Sequence, residues 1–267
     1  MPFVTLKDLA VHYREDGDPS GAPIVFANSL GTDLRLWDKI VSKLPKGLRV
    51  IRYDMRGHGK TDCPTGPYSM GSLVRDAEGL LDYLNVKDCL FVGLSIGGMV
   101  AQGLAVKRLD LVRAMVLSNT AAKIGQKSMW QERIEAVKAG GVAALSDPTL
   151  ERWFPKQFHA DPEFPFWKSL LESTPLEGYI GCMHAISGTD FYTPTSGLRL
   201  PAIAIAGSED KSTPPDLVRE TIDLIPGSKF HLVRKGGHLP CVDQASAYSE
   251  VLNGFIADIG HAAKKTV

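Results

Sequence analysis

Between a short β-rich run, Cys89 to Val92, and a stretch with helical apolar spacing, Ile96 to Val106, lies Gly93-Leu94-Ser95-Ile96-Gly97. This G-x-S-x-G segment constrains the chain most, because the backbone must reverse within one or two residues between a strand and a helix. Glycines at 93 and 97 remove Cβ atoms that would collide across that reversal. A serine at the tip then exposes its hydroxyl beside a helix N-terminus, whose unpaired N–H groups favour developing negative charge. Two readings are open: a Gly-rich connection with Ser95 as helix N-cap, and a nucleophile held on a strand–turn–helix elbow. The strand before and the helix after favour the second.

The surrounding pattern alternates strand and helix. Val4 to Leu6 and Ala10 to Tyr13 read as a short hairpin, and Ile24 to Ala27 as a buried strand leading into Asn28-Ser29-Leu30-Gly31. A helix is expected over 34–44, then a strand from Arg49 to Tyr53 ending in the tight loop Asp54-Met55-Arg56-Gly57-His58-Gly59. Leu73, Ala77, Leu80, Leu81 and Leu84 form a helical apolar stripe, and Ala114 to Leu117 another strand. From Ala121 to about Leu200 the alternation stops. That stretch holds Trp130, Trp153 and Trp167 with repeated prolines, and a structureless loop of such length is improbable, so it is expected to be a helical insertion. Strands resume at Ala202–Ala206 and Lys229–Val233, with helices opened by Pro214-Pro215 and around Tyr248 to Ile259. Such alternation indicates a mostly parallel sheet covered on both faces.

Composition narrows the function classes. Thirty Lys and Arg balance thirty Asp and Glu over 267 residues, so no global field favours nucleic acid or an anionic membrane. No run of eighteen apolar residues occurs, Met1-Pro2-Phe3 does not begin a signal peptide, and a cytoplasmic location is the default expectation. Cysteines at 63, 89, 182 and 241 have neither metal nor redox spacing, so no metal and no cofactor is expected.

A serine hydroxyl needs a base at neutral pH, and the base needs an orienting acid. Ser95, Asp210 and His238 each follow a predicted strand, at the sheet edge where open α/β sheets place their ligands. Singly, Asp210 could be a turn or N-cap residue with Glu209 as its rival, and His238, after two glycines, a solvated loop histidine. Jointly with Ser95 they make a nucleophile–acid–histidine set in the chain order Ser, Asp, His. His58, His184 and His231 are the rival histidines, and Asn119, ending the strand after the nucleophile, is not acidic. The oxyanion donors expected are the backbone N–H groups of Ile96 and Leu30.

The glycine–serine elbow, Asp54-Met55-Arg56-Gly57-His58-Gly59 and Gly236-Gly237-His238 together resemble the α/β-hydrolase superfamily across nearly the whole chain. Within it, four stretches resemble 3-oxoadipate enol-lactonases: Phe26 to Asp33, Asn119 to Gly125, Trp130 to Ile134 and Tyr179 to Ile186. One departure from the superfamily is Asn28-Ser29, where many members carry His-Gly, which bears on the Leu30 assignment. The resemblance implies an eight-stranded, mostly parallel sheet with helices on both faces, a core of residues 1–120 and 200–267, and a helical cap over 121–199. It implies a small lactone bearing a carboxylate as substrate, opened to 3-oxoadipate in bacterial aromatic catabolism through an acyl-enzyme. Trp130 and Arg133 are the residues expected to meet that substrate, against the alternative that Arg133 is solvated and Trp130 packs the cap. Other esterases, lactonases and C–C bond hydrolases, and a receptor that has lost turnover, are the competing functions.

Overall fold

The computed structural model describes residues 2–7 and 9–262, so the end of the expected core segment, 263–267, lies outside the described residues. Eight strands form one sheet: β1 (Phe3–Leu6), β2 (Leu9–Gly17), β3 (Ala22–Ala27), β4 (Leu48–Tyr53), β5 (Cys89–Leu94), β6 (Val112–Ser118), β7 (Ala202–Gly207) and β8 (Lys229–Val233). Their spatial order is β1-β2-β4-β3-β5-β6-β7-β8. β1 and β2 pair antiparallel, β2 is antiparallel to β4, and every later pairing is parallel. All six residues of β5, and all six of β7, are buried. Because successive side chains point to opposite faces, both faces of the sheet must be covered there, which is why these strands are continuous apolar runs.

The parallel register brings the strand ends together. Ala27 lies beside Gly93, Leu94 beside Ser118, and Gly207 beside Val233. The loops that follow β3, β5, β6, β7 and β8 therefore emerge along one carboxyl edge.

Among the helices before that edge is complete are α1 (Asp38–Val41), α2 (Met70–Tyr83) and α3 (Ile96–Lys107). The helix expected over 34–44 is instead a 3₁₀ turn, Leu34–Trp37, followed by the single turn of α1. The buried Arg52 guanidinium donates to the Leu34 carbonyl at 3.2 Å, and the Asp38 N–H turns to the Arg35 carbonyl. The first turn thus closes on the carbonyl three residues back, while a side chain from β4 bonds to the Leu34 carbonyl. The stripe from Leu73 to Leu81 packs α2 inward, and α3 runs under it against the central strands.

Between β6 and β7 the chain forms α4 (Lys127–Gly140), α5 (Ser146–Trp153), α6 (Phe164–Glu172), α7 (Leu176–Ser187) and α8 (Tyr192–Ser196). Trp130, Trp153 and Trp167 are all buried, and Phe154 stacks on Phe158 with ring centroids 4.3 Å apart. Each such side chain contributes on the order of 1.5–3 kcal/mol by leaving water, so this segment has an aromatic core of its own. The chain closes with α9 (Pro215–Ile222), α10 (Pro240–Asp243) and α11 (Ala245–Asp258).

Candidate active site

Ser95 sits between β5 and α3 with φ 56° and ψ −119°, a conformation that costs an L-residue energy and persists only where its surroundings enforce it. The enforcement is visible. The Ser95 N–H donates to the Ser118 carbonyl at 2.9 Å, while the Ser95 carbonyl accepts from Gly98 N–H and from the Thr120 hydroxyl at 2.6 Å. A Cβ at position 93 would run into the Gly97 carbonyl, and one at 97 into the Ala27 carbonyl. The Ser95 side chain makes no N-cap hydrogen bond, so the capping alternative does not describe it.

Asp210 and His238 meet across the loops after β7 and β8, with His238 Nδ1 2.9 Å from Asp210 Oδ2 and both side chains buried. Asp210 is held on both oxygens. Ser212 and Thr213 N–H donate to Oδ1, and the Thr213 hydroxyl and Asn119 Nδ2 donate to Oδ2, each of the last two at 2.7 Å. Burial by itself would raise the Asp210 carboxyl. The charge and hydrogen bond of His238, aided by Asn119 and Thr213, outweigh it and hold the group below the ordinary carboxylate range. His238 is fixed from the other side by its backbone, whose N–H donates to the Trp153 carbonyl at the end of α5 at 2.7 Å.

The Asn28–Gly31 loop is pinned as well. Asn28 Nδ2 donates to the Tyr53 carbonyl and its Oδ1 accepts from the Trp37 indole, at 2.8 and 2.9 Å. The Asn28 carbonyl accepts from Gly97 N–H, tying this loop to the start of α3. Ile96 N–H, at the first position of α3, has no acceptor four residues back within its own helix.

Ser95, His238, Leu30 and Ser29 line one cavity of about 190 Å³, walled on the other side by the helices between β6 and β7. Trp130, Trp153, Tyr179 and Met183 supply apolar wall, and Arg133 and Arg152 enter it from α4 and α5. Arg133 lies over the Trp130 ring at 5.2 Å, and Arg152 donates to the Thr149 hydroxyl at 3.0 Å. Neither makes an ion pair with a carboxylate among the described residues. Burial lowers both guanidinium pKa values, and for Arg152 the nearby charge of Arg133 lowers it further. Among the described residues no cluster of His, Cys, Asp and Glu could hold a metal ion, and no helix is long and apolar enough to cross a membrane.

Comparison with known proteins now adds to this geometry. A family model of the alpha/beta hydrolase fold matches residues 22–245. The chain belongs to the α/β-hydrolase family. This hydrolase is 30% identical over 93% of its length to 3-oxoadipate enol-lactonase 2 of Acinetobacter baylyi, covering 94% of that protein. It is 32% identical over 90% of its length to 3-oxoadipate enol-lactonase 1 of the same organism, covering 91% of it. Among solved structures, the enol-lactonase from Burkholderia xenovorans LB400 superposes with a TM-score of 0.92 at 33% identity, over 96% of this chain and all of that one.

Of the residues singled out from this hydrolase's sequence, Ser95, His238, Leu30, Trp130 and Arg133 share one cavity, and Asp210 stands behind His238. Elsewhere in the helical segment, Trp153 and Met183 also reach the cavity, whereas Trp167 and His184 are not on its wall. His231 lies within β8. In the Asp54–Gly59 loop, Asp54 and Arg56 tie the scaffold together. Asp54 accepts from Leu34 and Lys60 N–H and pairs with His12, and Arg56 forks onto Asp76. Thr213 and Arg152 have no place in the sequence reading, and Asn119 enters it only as a non-acidic residue at a strand end, with no role assigned. Thr213 had a local signal, since an Asp ahead of a Pro-initiated helix accepts backbone N–H groups two and three residues on. Asn119 and Arg152 had none, because their partners are distant in sequence.

Proposed function

We propose that this hydrolase opens 3-oxoadipate enol-lactone to 3-oxoadipate, a step of bacterial aromatic catabolism, with residues 121–199 as a cap over the sheet edge. The observation that carries the reading is the pairing, in one small cavity, of Ser95 and the Asp210-backed His238 with two guanidiniums that make no ion pair among the described residues. The first is the apparatus of acyl transfer, and the second is the complement of an anionic substrate. A lactone of five ring members carrying an acetate arm has both the electrophile and the anion, and the enol-lactonase relatives act on a substrate of that description by name.

In this mechanism His238 takes the Ser95 proton at Nε2 while Nδ1 stays on Asp210, and the serine oxygen attacks the lactone carbonyl. The oxyanion rests on the N–H groups of Leu30 and Ile96. Collapse breaks the ring C–O bond, and the leaving oxygen departs as an enolate, which takes up a proton and becomes a ketone. The leaving group is therefore good, and acylation is easy. Water, deprotonated by His238, then attacks the acyl-enzyme, and 3-oxoadipate and free Ser95 are released. Asp210 orients the imidazole and favours its cationic form. Arg133 and Arg152 hold the side-chain carboxylate, with Trp130 as a wall.

The test is turnover of the authentic enol-lactone against p-nitrophenyl acetate, by the wild type and by Ser95→Ala. The reading expects the lactone to be strongly preferred and the variant to be dead on both. Far better turnover of the simple ester would replace the lactonase assignment with a general esterase. Stoichiometric labelling of Ser95 without sustained hydrolysis would mark a receptor.

A further inference from the structure

A backbone N–H stabilises an oxyanion only if its peptide plane is fixed beforehand. Leu30 lies between two such planes. In the Ser29–Leu30 peptide, the Ser29 carbonyl accepts from both Thr32 N–H at 3.2 Å and the Thr32 hydroxyl at 2.8 Å. A trans peptide sets N–H opposite C=O, so tying this carbonyl to Thr32 turns the Leu30 N–H the other way. On the far side, Gly31 N–H donates to His58 Nε2 at 3.0 Å. Gly31 has φ +75°, and a Cβ there would come within 2.5 Å of Leu171 Cδ1. The positive φ favours glycine, and glycine leaves the loop free to reorient unless something holds its amide.

His58 is suited to that task. It is buried, and its Nδ1 lies 3.2 Å from the Arg56 carbonyl, with the Cys182 thiol alongside at 4.0 Å. A carbonyl can only accept, so the ring proton is on Nδ1 and Nε2 is the bare acceptor that Gly31 N–H needs. Both ring nitrogens are thereby engaged, which removes His58 as a base. Burial pushes its pKa down to about 4, with the Arg56 carbonyl opposing, so the ring stays neutral around pH 7.

We propose that His58 is a positioning residue of the oxyanion hole: through Gly31 N–H, and together with Thr32 on the Ser29 carbonyl, it locks the Leu30 amide toward Ser95. The inference rests on the hydrolase mechanism above. It assigns the second loop of the chain a part in the rate rather than in folding alone.

Two measurements decide it. In the wild type, long-range ¹⁵N–¹H correlation of the His58 ring should show the Nδ1–H form from pH 6 to pH 8; an Nε2–H ring overturns the proposal without any variant. In kinetics, His58→Phe, which keeps a ring but no acceptor, should lower kcat about 100-fold with KM within about 3-fold. It should weaken by a similar factor an alkyl trifluoromethyl ketone, which adds to Ser95 as a hemiketal oxyanion. His58→Gln places an amide oxygen where Nε2 was and should restore kcat to within about 10-fold of wild type, while Thr32→Val should lose about 10-fold independently. A His58→Phe enzyme that melts lower but keeps its kcat overturns the proposal. So does a loss in KM alone, or a well-folded His58→Gln no better than His58→Phe. A wild type that neither turns over ester nor reacts with the ketone instead brings down the hydrolase reading, and this inference with it.

Discussion

The carboxyl edge of the sheet and the helices that face it across the cavity treat their charged groups in opposite ways. At the edge the Asp210 carboxylate and the Ser95 backbone are fully engaged. Asp210 takes four N–H or O–H donors besides His238, and the Ser95 backbone is bonded at both ends. Across the cavity, Arg133 and Arg152 stand half-buried, neither makes an ion pair with a carboxylate among the described residues, and the charge of Arg133 bears on Arg152. Satisfied groups in a low-dielectric setting are rigid, whereas half-buried like charges are costly until an anion arrives. Under the proposed function the edge serves as a preorganised reaction centre and the facing helices as a recognition surface completed by an anionic ligand. The two meet at the end of α5, where Arg152 enters the cavity and the Trp153 carbonyl holds the His238 backbone.

That division predicts different kinetic signatures for the two sides. The largest effect is expected for Ser95→Ala, and for His238→Ala with it: kcat falls by about 10⁵- to 10⁶-fold, as read by single-turnover assay on the enol-lactone. Asp210→Asn should follow at about 10³- to 10⁴-fold, because the imidazole loses its orienting acceptor. Asn119→Ala, which removes a donor from Asp210 but not the carboxylate, should cost only about 10-fold in kcat. If Asn119→Ala matched Asp210→Asn, the edge would be a more delicate network than its bond count implies.

On the opposite side, Arg133→Ala and Arg152→Ala should each raise KM for the lactone by about 10-fold or more and leave kcat nearly intact. Turnover of neutral p-nitrophenyl acetate should be unchanged. A fall in kcat for Arg152→Ala with both substrates would break the comparison, placing α5 in the reaction centre through the Trp153 carbonyl.

The smallest effect concerns Asp243, which accepts Gly237 N–H at 2.8 Å directly beside His238, while its Oδ1 is buried without a partner. Burial raises its carboxyl from 3.8 to about 7, with the Gly237 bond opposing and the charges of Glu209 and Asp210 adding to the rise. The folded protein therefore keeps a proton that the unfolded chain releases. This contribution to stability is complete below the ordinary carboxyl value and is lost as pH rises through about 7. Asp243→Asn should melt about 5 °C above wild type at pH 8.5, with the gap closing toward pH 4. A constant gap across that range would remove the titration from the explanation.

How much of this was legible in the chain itself varies with the range of the interactions. The elbow was legible because a strand, a glycine pair and a helix leave a serine few conformations, and Ser95 adopts one that its neighbours enforce. The expected 34–44 helix is broken into a 3₁₀ turn and one α-helical turn where the segment meets the buried Arg52 of β4, a contact from a distant strand with no local trace. Arg133 was visible through its spacing from Trp130, but Arg152 lies a helix away and reaches the same cavity only because α4 and α5 fold against the same space. His58 was read as one rival among three histidines, and its bond to Gly31, twenty-seven residues earlier, has no local trace.

The sequence alone determined the alternation of strands and helices and the strained turn at Ser95, since both depend on residues within one or two turns of each other. It also placed an acid and an imidazole each just after a strand. Only the tertiary structure decided which groups meet, because parallel strands bring the ends of β3, β5, β6, β7 and β8 to one edge regardless of their distance along the chain. Which side chains find partners there, and which are left charged and waiting, is a matter of burial and geometry that no local pattern encodes.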